Sequence, residues 1–277
     1  MHIFLFAANT ICYAGQSATG KLYAAKGGQA NSFNLCKAGS AVILFLIWLL
    51  IKGKGIHWAT LPWALIYGLC LTVSMYTGFM ALSCGPMALT SIMAAMSLLV
   101  PFLWGILFWK EQLSLFGILG IILLIGAIFL INYRKERKFS KKWLVYSLVT
   151  MLANGFCSVI QKYHQLSYPK LFQVDFMLFA MSTVTILLLI AFPFQKDKKL
   201  KFSALGTCSG IMNGLANFFV LILAGIQNAA ALFPMVSVCN VMAAWLTGIL
   251  FFKEKTKPIQ LIGLILGVIG VCLLNLL

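Results

Sequence analysis

Apolar runs of about 20 residues follow one another almost from end to end of this 277-residue chain, separated by short joints marked by charge or by Gly and Pro. A helix crosses the hydrocarbon core of a bilayer with roughly 20 consecutive apolar residues. The runs cover residues 3–20, 33–51, 58–82, 87–109, 114–132, 143–161, 171–194, 202–225, 228–252 and 257–277. A soluble domain of this length could not enclose so much apolar side chain, since 62% of the residues are hydrophobic and 9% are charged. Membrane-spanning strands would alternate in polarity and be about half as long. The expected fold class is therefore an all-α integral membrane protein of ten transmembrane helices, multi-pass in the plasma (inner) membrane, with the lipid bilayer as its main partner. The first run has no basic n-region and no small-residue cleavage site, so it reads as a retained helix.

The few polar residues exclude several classes of function. All eight cysteines lie in or at the ends of apolar runs and no pair has C-x-x-C spacing, which removes disulfide and zinc readings. His2, His57 and His164 fall at the ends of runs, with no second histidine at metal-ligand spacing and no obvious nucleophile, and read as interfacial polar residues. No G-x-x-x-x-G-K-[ST] stretch is present, so no ATP site is expected. Five acidic residues, of which Glu111, Glu136 and Glu254 stand in charged joints beside lysines, leave little for intramembrane acid–base chemistry, and no enzyme, cofactor or metal is expected. The net charge of +16 sits in joints between helices, where anionic headgroups are a nearer partner than nucleic acid.

The chain also repeats itself. ILFWKE ends one apolar run at Glu111 and ILFFKE ends another at Glu254, 143 residues later; aligned without gaps, residues 106–132 match residues 249–275 at ten positions. The matches include Lys110 with Lys253, Glu111 with Glu254, Gly120 with Gly263 and Asn132 with Asn275. A second echo pairs NTICYAGQ from Asn9 with NGFCSVIQ from Asn154. The organisation expected is a first five-helix repeat over residues 1–133, a basic linker over 134–142 and a second repeat over 143–277, together one transmembrane domain. Five is odd, so the second repeat enters the membrane inverted. Inverted repeats exchanging conformations around a central site are an architecture of secondary transporters.

Ten helices in two halves, a Lys-Glu joint after helices four and nine and a Gly-rich helix after each joint resemble the EamA-like members of the drug/metabolite transporter superfamily. The resemblance covers essentially the whole chain. It implies a pocket between halves lined by helices one, three, four, six, eight and nine, peripheral helices five and ten that often mediate dimer contacts, and a monomer or homodimer. Two departures stand out: the usual Gly before Glu is Lys110 and Lys253 here, and the first helix has no membrane glutamate.

Helical spacing nominates the residues that would meet a substrate. Asn9, Tyr13 and Gln16 share one stripe of helix one, and Asn154, Ser158 and Gln161 the same stripe of helix six. Asn213 and Asn217 on helix eight, and Ser237 and Asn240 near Pro234 on helix nine, add two more. Amides facing lipid would leave donors and acceptors unsatisfied at several kcal/mol, so these stripes face a wet pocket or serve as interhelical bonds of about 0.6 kcal/mol. For a single Asn the two readings stand level; the matched Asn9/Gln16 and Asn154/Gln161 set favours a pocket. Tyr76 and Trp104 are placed to stack on a substrate or to pack. Gly206, Gly210 and Gly214, and Gly263 with Gly267, suit close helix approach inside one protomer, and the pair on helix ten also suits a dimer seam. Glu111 and Glu254 read as structural, paired with local lysines. Asp175, among apolar neighbours at the start of helix seven, is either a helix N-terminal charge or an ion-coupling group. The function expected is secondary-active, alternating-access transport of a small polar metabolite or drug-like solute, as exporter or exchanger; a channel, lipid scramblase or scaffold is the alternative.

Overall fold

The computed structural model describes residues 2–26, 30–53, 55–84, 90, 93–111, 114–131, 140–192, 202–253 and 257–275. Asn132, Glu136, Glu254 and the basic linker before residue 140 lie outside them. The described residues are all-helical. Ten α-helices run in chain order: α1 His2–Ala25, α2 Ala30–Lys52, α3 Leu61–Cys84, α4 Leu99–Phe108, α5 Leu115–Ile131, α6 Lys141–Ser167, α7 Gln173–Ala191, α8 Ala204–Ala224, α9 Ala229–Phe252 and α10 Pro258–Asn275. Short 3₁₀ turns, Trp58–Thr60 and Met96–Leu98, lead into α3 and α4.

Helix starts follow local chemistry. Ser114, Ser140 and Ser203 accept from the backbone N–H three residues on, at Gly117, Trp143 and Gly206, satisfying one of the donors that a helix start leaves open. Of the ten, α2, α3 with its 3₁₀ lead-in, α6, α7, α8 and α9 are long and apolar enough to cross a membrane, while Met93–Phe108, Leu115–Leu130 and Pro258–Gly270 are shorter apolar helices. Their outer faces are those of a protein dissolved in lipid: Leu250 and Phe251 are 71% and 75% exposed.

The chain divides into two compact units, each drawing on both halves of the sequence. The first contains residues 1–72 and 163–225. In it α8 packs on α1 and α2, and α2 also packs on α7. The approach of α8 to α2 depends on three glycines one turn apart. A Cβ on Gly206 would lie 3.1 Å from the Phe33 carbonyl, one on Gly214 would lie 3.2 Å from the Phe45 ring, and one on Gly210 would overlap the Ser40 hydroxyl and the Lys37 carbonyl. The same closeness lets the Ser40 hydroxyl donate to the Thr207 carbonyl at 3.0 Å, joining the two backbones. Phe45, Trp48 and Phe218 close the far end of this seam with ring centroids 4.8–6.4 Å apart.

The second unit contains residues 73–162 and 226–277. In it α5 packs along α10, and α9 packs on α4, α5 and α10. Here again glycine sets the distance. Gly270 faces Leu124 and the Gly120 carbonyl, which an added Cβ would meet at 2.6 and 2.9 Å, and Gly267 faces Ala127, Val238 and Met242. Gly267 and Gly270 of α10 thus serve packing within the protomer.

Candidate functional site

In the first unit α1, which carries Asn9, Tyr13 and Gln16, packs on α8, which carries Asn213 and Asn217. Gly15 is the contact point: a Cβ there would overlap the Met212 thioether. Its neighbour Gln16 and Met212's neighbour Asn213 flank that contact. Asn9 is 1% exposed and Tyr13 is partly buried. The Gln16 Oε1 is buried and accepts no hydrogen bond among the described residues, and a buried acceptor without a donor calls for an explanation.

Asn217 is held from both sides. Its Oδ1 accepts from the Tyr67 hydroxyl at 2.8 Å, and its Nδ2 donates back to the Asn213 carbonyl at 2.9 Å. Tyr67, 1% exposed, stands edge-on to Phe176 with centroids 5.4 Å apart, and Phe176 meets the His164 ring at 4.4 Å. Helical spacing on α8 finds Asn217; Tyr67, an aromatic inside an apolar run, carries no sequence signal that separates it from its neighbours.

One expectation about polar groups in this unit needs correction, and another gains a partner. His164 is not interfacial but fully buried, the last turn of α6 extending six residues past Gln161. Its Nδ1 accepts from the Gln165 amide at 3.0 Å, and Gln165 Oε1 accepts from Gln173 at 2.8 Å, so the run KYHQ stays helical because its polar groups bond to one another and to α7. Asp175, 7% exposed, accepts from the His57 backbone N–H at 3.0 Å, with the His57 ring nitrogen 3.9 Å away and that ring stacked on Phe172. The carboxylate thus stands in the first turn of its own helix and also holds the lead-in turn of α3.

In the second unit Asn154 and Ser158 flank Gly155, where α6 meets α4. A Cβ on Gly155 would overlap the Val100 side chain and come within 2.9 Å of the Ser97 carbonyl. Ser97 is the middle residue of the 3₁₀ turn Met96–Leu98. Pro101 has no N–H to return to that carbonyl from four residues on, so the α-helical pattern breaks at this point. The turn also touches α9, the helix that carries Ser237 and Asn240. Gln161 is 3% exposed, and Thr77 and Thr150 bond across α3 and α6 at 2.8 Å. Trp104 packs on Phe108 and Phe156, at 4.3 and 5.8 Å between centroids, which assigns it to the helix contact. Tyr76 is 53% exposed and joins no ring cluster among the described residues.

The joint after α4 departs from expectation in its partner. Glu111 pairs not with a lysine of its own joint but with the start of α9: Oε1 accepts from Ala229 N at 2.9 Å and Oε2 from Ala230 N at 2.8 Å. Lys110 before it, and Lys253 after α9, both adopt the left-handed conformation, φ 54° and 51°, in which glycine is at ease. Lys37 and Lys162 lie inside α2 and α6 and not in joints; Lys162 donates to the Gln227 carbonyl at 2.6 Å, a partner that only the fold supplies.

Residues 17–276 match the family profile described as sugar transport protein. The chain belongs to that family. Its helices are accordingly those of a member of a membrane transporter family. One solved chain, described only as "Crystal structure of protein", superposes with a TM-score of 0.79 at 15% sequence identity, covering 98% of each chain, which places the fold among those already seen experimentally. No curated protein matches.

Proposed function

We propose that this member of the sugar transport protein family is a secondary carrier for a sugar, moving it by alternating access as exporter or exchanger across the plasma membrane, with no cofactor and no enzymatic activity. The observation that carries the reading is the family match over residues 17–276. The chemistry of the stripes supports it. A sugar hydroxyl is at once donor and acceptor, and so is the amide of Asn or Gln. Asn9, Tyr13, Gln16, Asn213 and Asn217 in one unit, and Tyr76, Asn154, Ser158, Gln161 and Asn240 in the other, offer such groups with no net charge. The buried Gln16 Oε1 wants a donor, which a hydroxyl provides.

The ten-span, two-repeat arrangement belongs to the same proposal, as does kinship with the EamA-like branch of the drug/metabolite transporters. Its support is local. The 143-residue offset exchanges the contact Leu124–Gly270 with the contact Ala127–Gly267, and both are made. It also carries Lys110 onto Lys253, the two left-handed residues that end α4 and α9. Interrupted helices at corresponding places in two repeats mark binding sites in transporters. The same offset sets Ser97, in the break of α4, on Asn240 of α9, the helix that contains Pro234.

The test is counterflow. Purified protein reconstituted in liposomes loaded with an unlabelled monosaccharide should drive saturable, transient accumulation of the same labelled sugar above its equilibrium level. Uptake that neither saturates nor overshoots, across a panel of hexoses and pentoses, contradicts a carrier.

A further inference from the structure

Resting on that reading, we propose that residues 226–233, the approach to α9 and its first turn, form a gate held closed by Glu111 and Lys162 and hinged at Pro234. The contacts are unusual for an ordinary helix start. Asn228 occupies the cap position in an extended conformation, yet its side chain makes no capping bond. The two leading N–H groups, of Ala229 and Ala230, are taken instead by the two oxygens of Glu111, which comes from the segment after α4, 118 and 119 residues away in sequence. One step upstream the ammonium of Lys162, from α6, takes the Gln227 carbonyl at 2.6 Å. Three of the four residues 227–230 are thus held by a carboxylate from the segment after α4 and an ammonium from α6, which lie within reach of each other's charge. Gly105 makes room for this arrangement, since a Cβ there would stand 2.6 Å from Glu111 Oε2 and 3.2 Å from Ala230 N.

The tie between this segment and the rest of its own helix is weaker. Pro234 lies inside α9. It offers no N–H to the Ala230 carbonyl, removing one of the bonds that would join the first turn to the next, and prolines are where helices bend. An inert start would be capped by its own Asn228, as asparagine commonly does, and would move with its helix. Here the cap is lent by a neighbour, so any displacement of α9 from α4 must break it. Two discrete arrangements, latched and released, are what a gating element requires.

Two variants test the gate in the full-length protein. Glu111→Gln keeps the size of the side chain and removes its charge; amide hydrogen exchange in residues 226–233 should quicken by about tenfold or more, as for a lost charged hydrogen bond, with residues 30–52 unchanged, and the maximal rate of sugar counterflow should shift several-fold. In the second, Glu111→Cys and Ala230→Cys are joined through disulfides by a short bis-methanethiosulfonate, with exposed Cys208 and Cys272 replaced by serine. Counterflow should stop on bridging and return on reduction. Unaltered counterflow in the bridged protein, or Glu111→Gln with both exchange and rate unchanged, would overturn the gate. If the unbridged wild-type protein carries no sugar at all, the carrier reading itself fails and the gate falls with it.

Discussion

Lysine is a poor choice for a left-handed backbone, yet Lys110 and Lys253 both occupy it. A side chain there costs about 1–2 kcal/mol relative to the right-handed region, and glycine recovers part of this while losing about 0.5–1 kcal/mol to the freedom of the unfolded chain. Lys110→Gly and Lys253→Gly should therefore each stabilise the protein by up to about 1 kcal/mol, whereas Lys→Ala at either position should not; melting in detergent, read as a rise in Tm for glycine alone, checks this. The choice of lysine over glycine was legible as a departure from the EamA-like pattern, but its backbone conformation was not, because a φ angle leaves no mark in a single sequence. Asp175 belongs to the same scale. Its oxygen already accepts from the His57 N–H, a bond that asparagine can also accept. Asp175→Asn should leave the fold and the pH dependence of transport as they are, while Asp175→Ala should cost about 1–2 kcal/mol, in the range of a lost cap. A flattened pH profile in Asp175→Asn, measured in proteoliposomes, would instead assign the carboxylate to ion coupling.

At the scale of elements, the apolar runs foretold the ends of most helices to within a few residues, since nothing but a helix satisfies the backbone in lipid. One clear difference is at α6, which continues through Lys162, Tyr163, His164 and Gln165 to Ser167. Polarity ends a run on paper; here those groups find Gln227, Gln173 and each other, and the helix goes on. Glycine spacing was similarly legible as close approach, though not which helix approaches which. The contacts now rank the glycines. Gly210→Ala would press a methyl into the Lys37 carbonyl, a backbone atom that cannot swing aside, and should cost about 1–3 kcal/mol or more. Gly39→Ala and Gly126→Ala have open space at the added carbon and should be neutral or gain up to about 1 kcal/mol from helix propensity. Thermal unfolding of the three variants side by side tests the α2–α8 seam.

At the scale of the whole molecule, composition and repetition pointed to a transporter, and the sugar transport protein family is where the chain belongs. The identity of the solute was not legible, because Asn, Gln and Tyr serve any small polar ligand and the same residues also tie helices together, as Asn217 does with Tyr67. Orientation is open to direct test. In a ten-span chain most of the 21 basic residues fall on the side of the joints one-two, five-six, seven-eight and nine-ten, and withdrawing Lys37 and Lys162, which lie inside helices, leaves that asymmetry standing. The positive-inside rule then sets both termini outside. A reporter fused after Leu277 should be active only outside the cytoplasm; cytoplasmic activity would reverse the assignment.

In the proposed carrier the two repeats are inverted copies that expose one sugar site to each side in turn. In such a carrier Asn9 and Asn154 share a depth, while Gln16 and Gln161 point toward opposite faces of the membrane. Single cysteines at positions 16 and 161, probed with a membrane-impermeant maleimide on sealed vesicles of known orientation, measure this directly. Position 16 should label from one side and position 161 from the other, each slowed by the transported sugar. Labelling of both from the same side, or rates indifferent to sugar, would contradict the account.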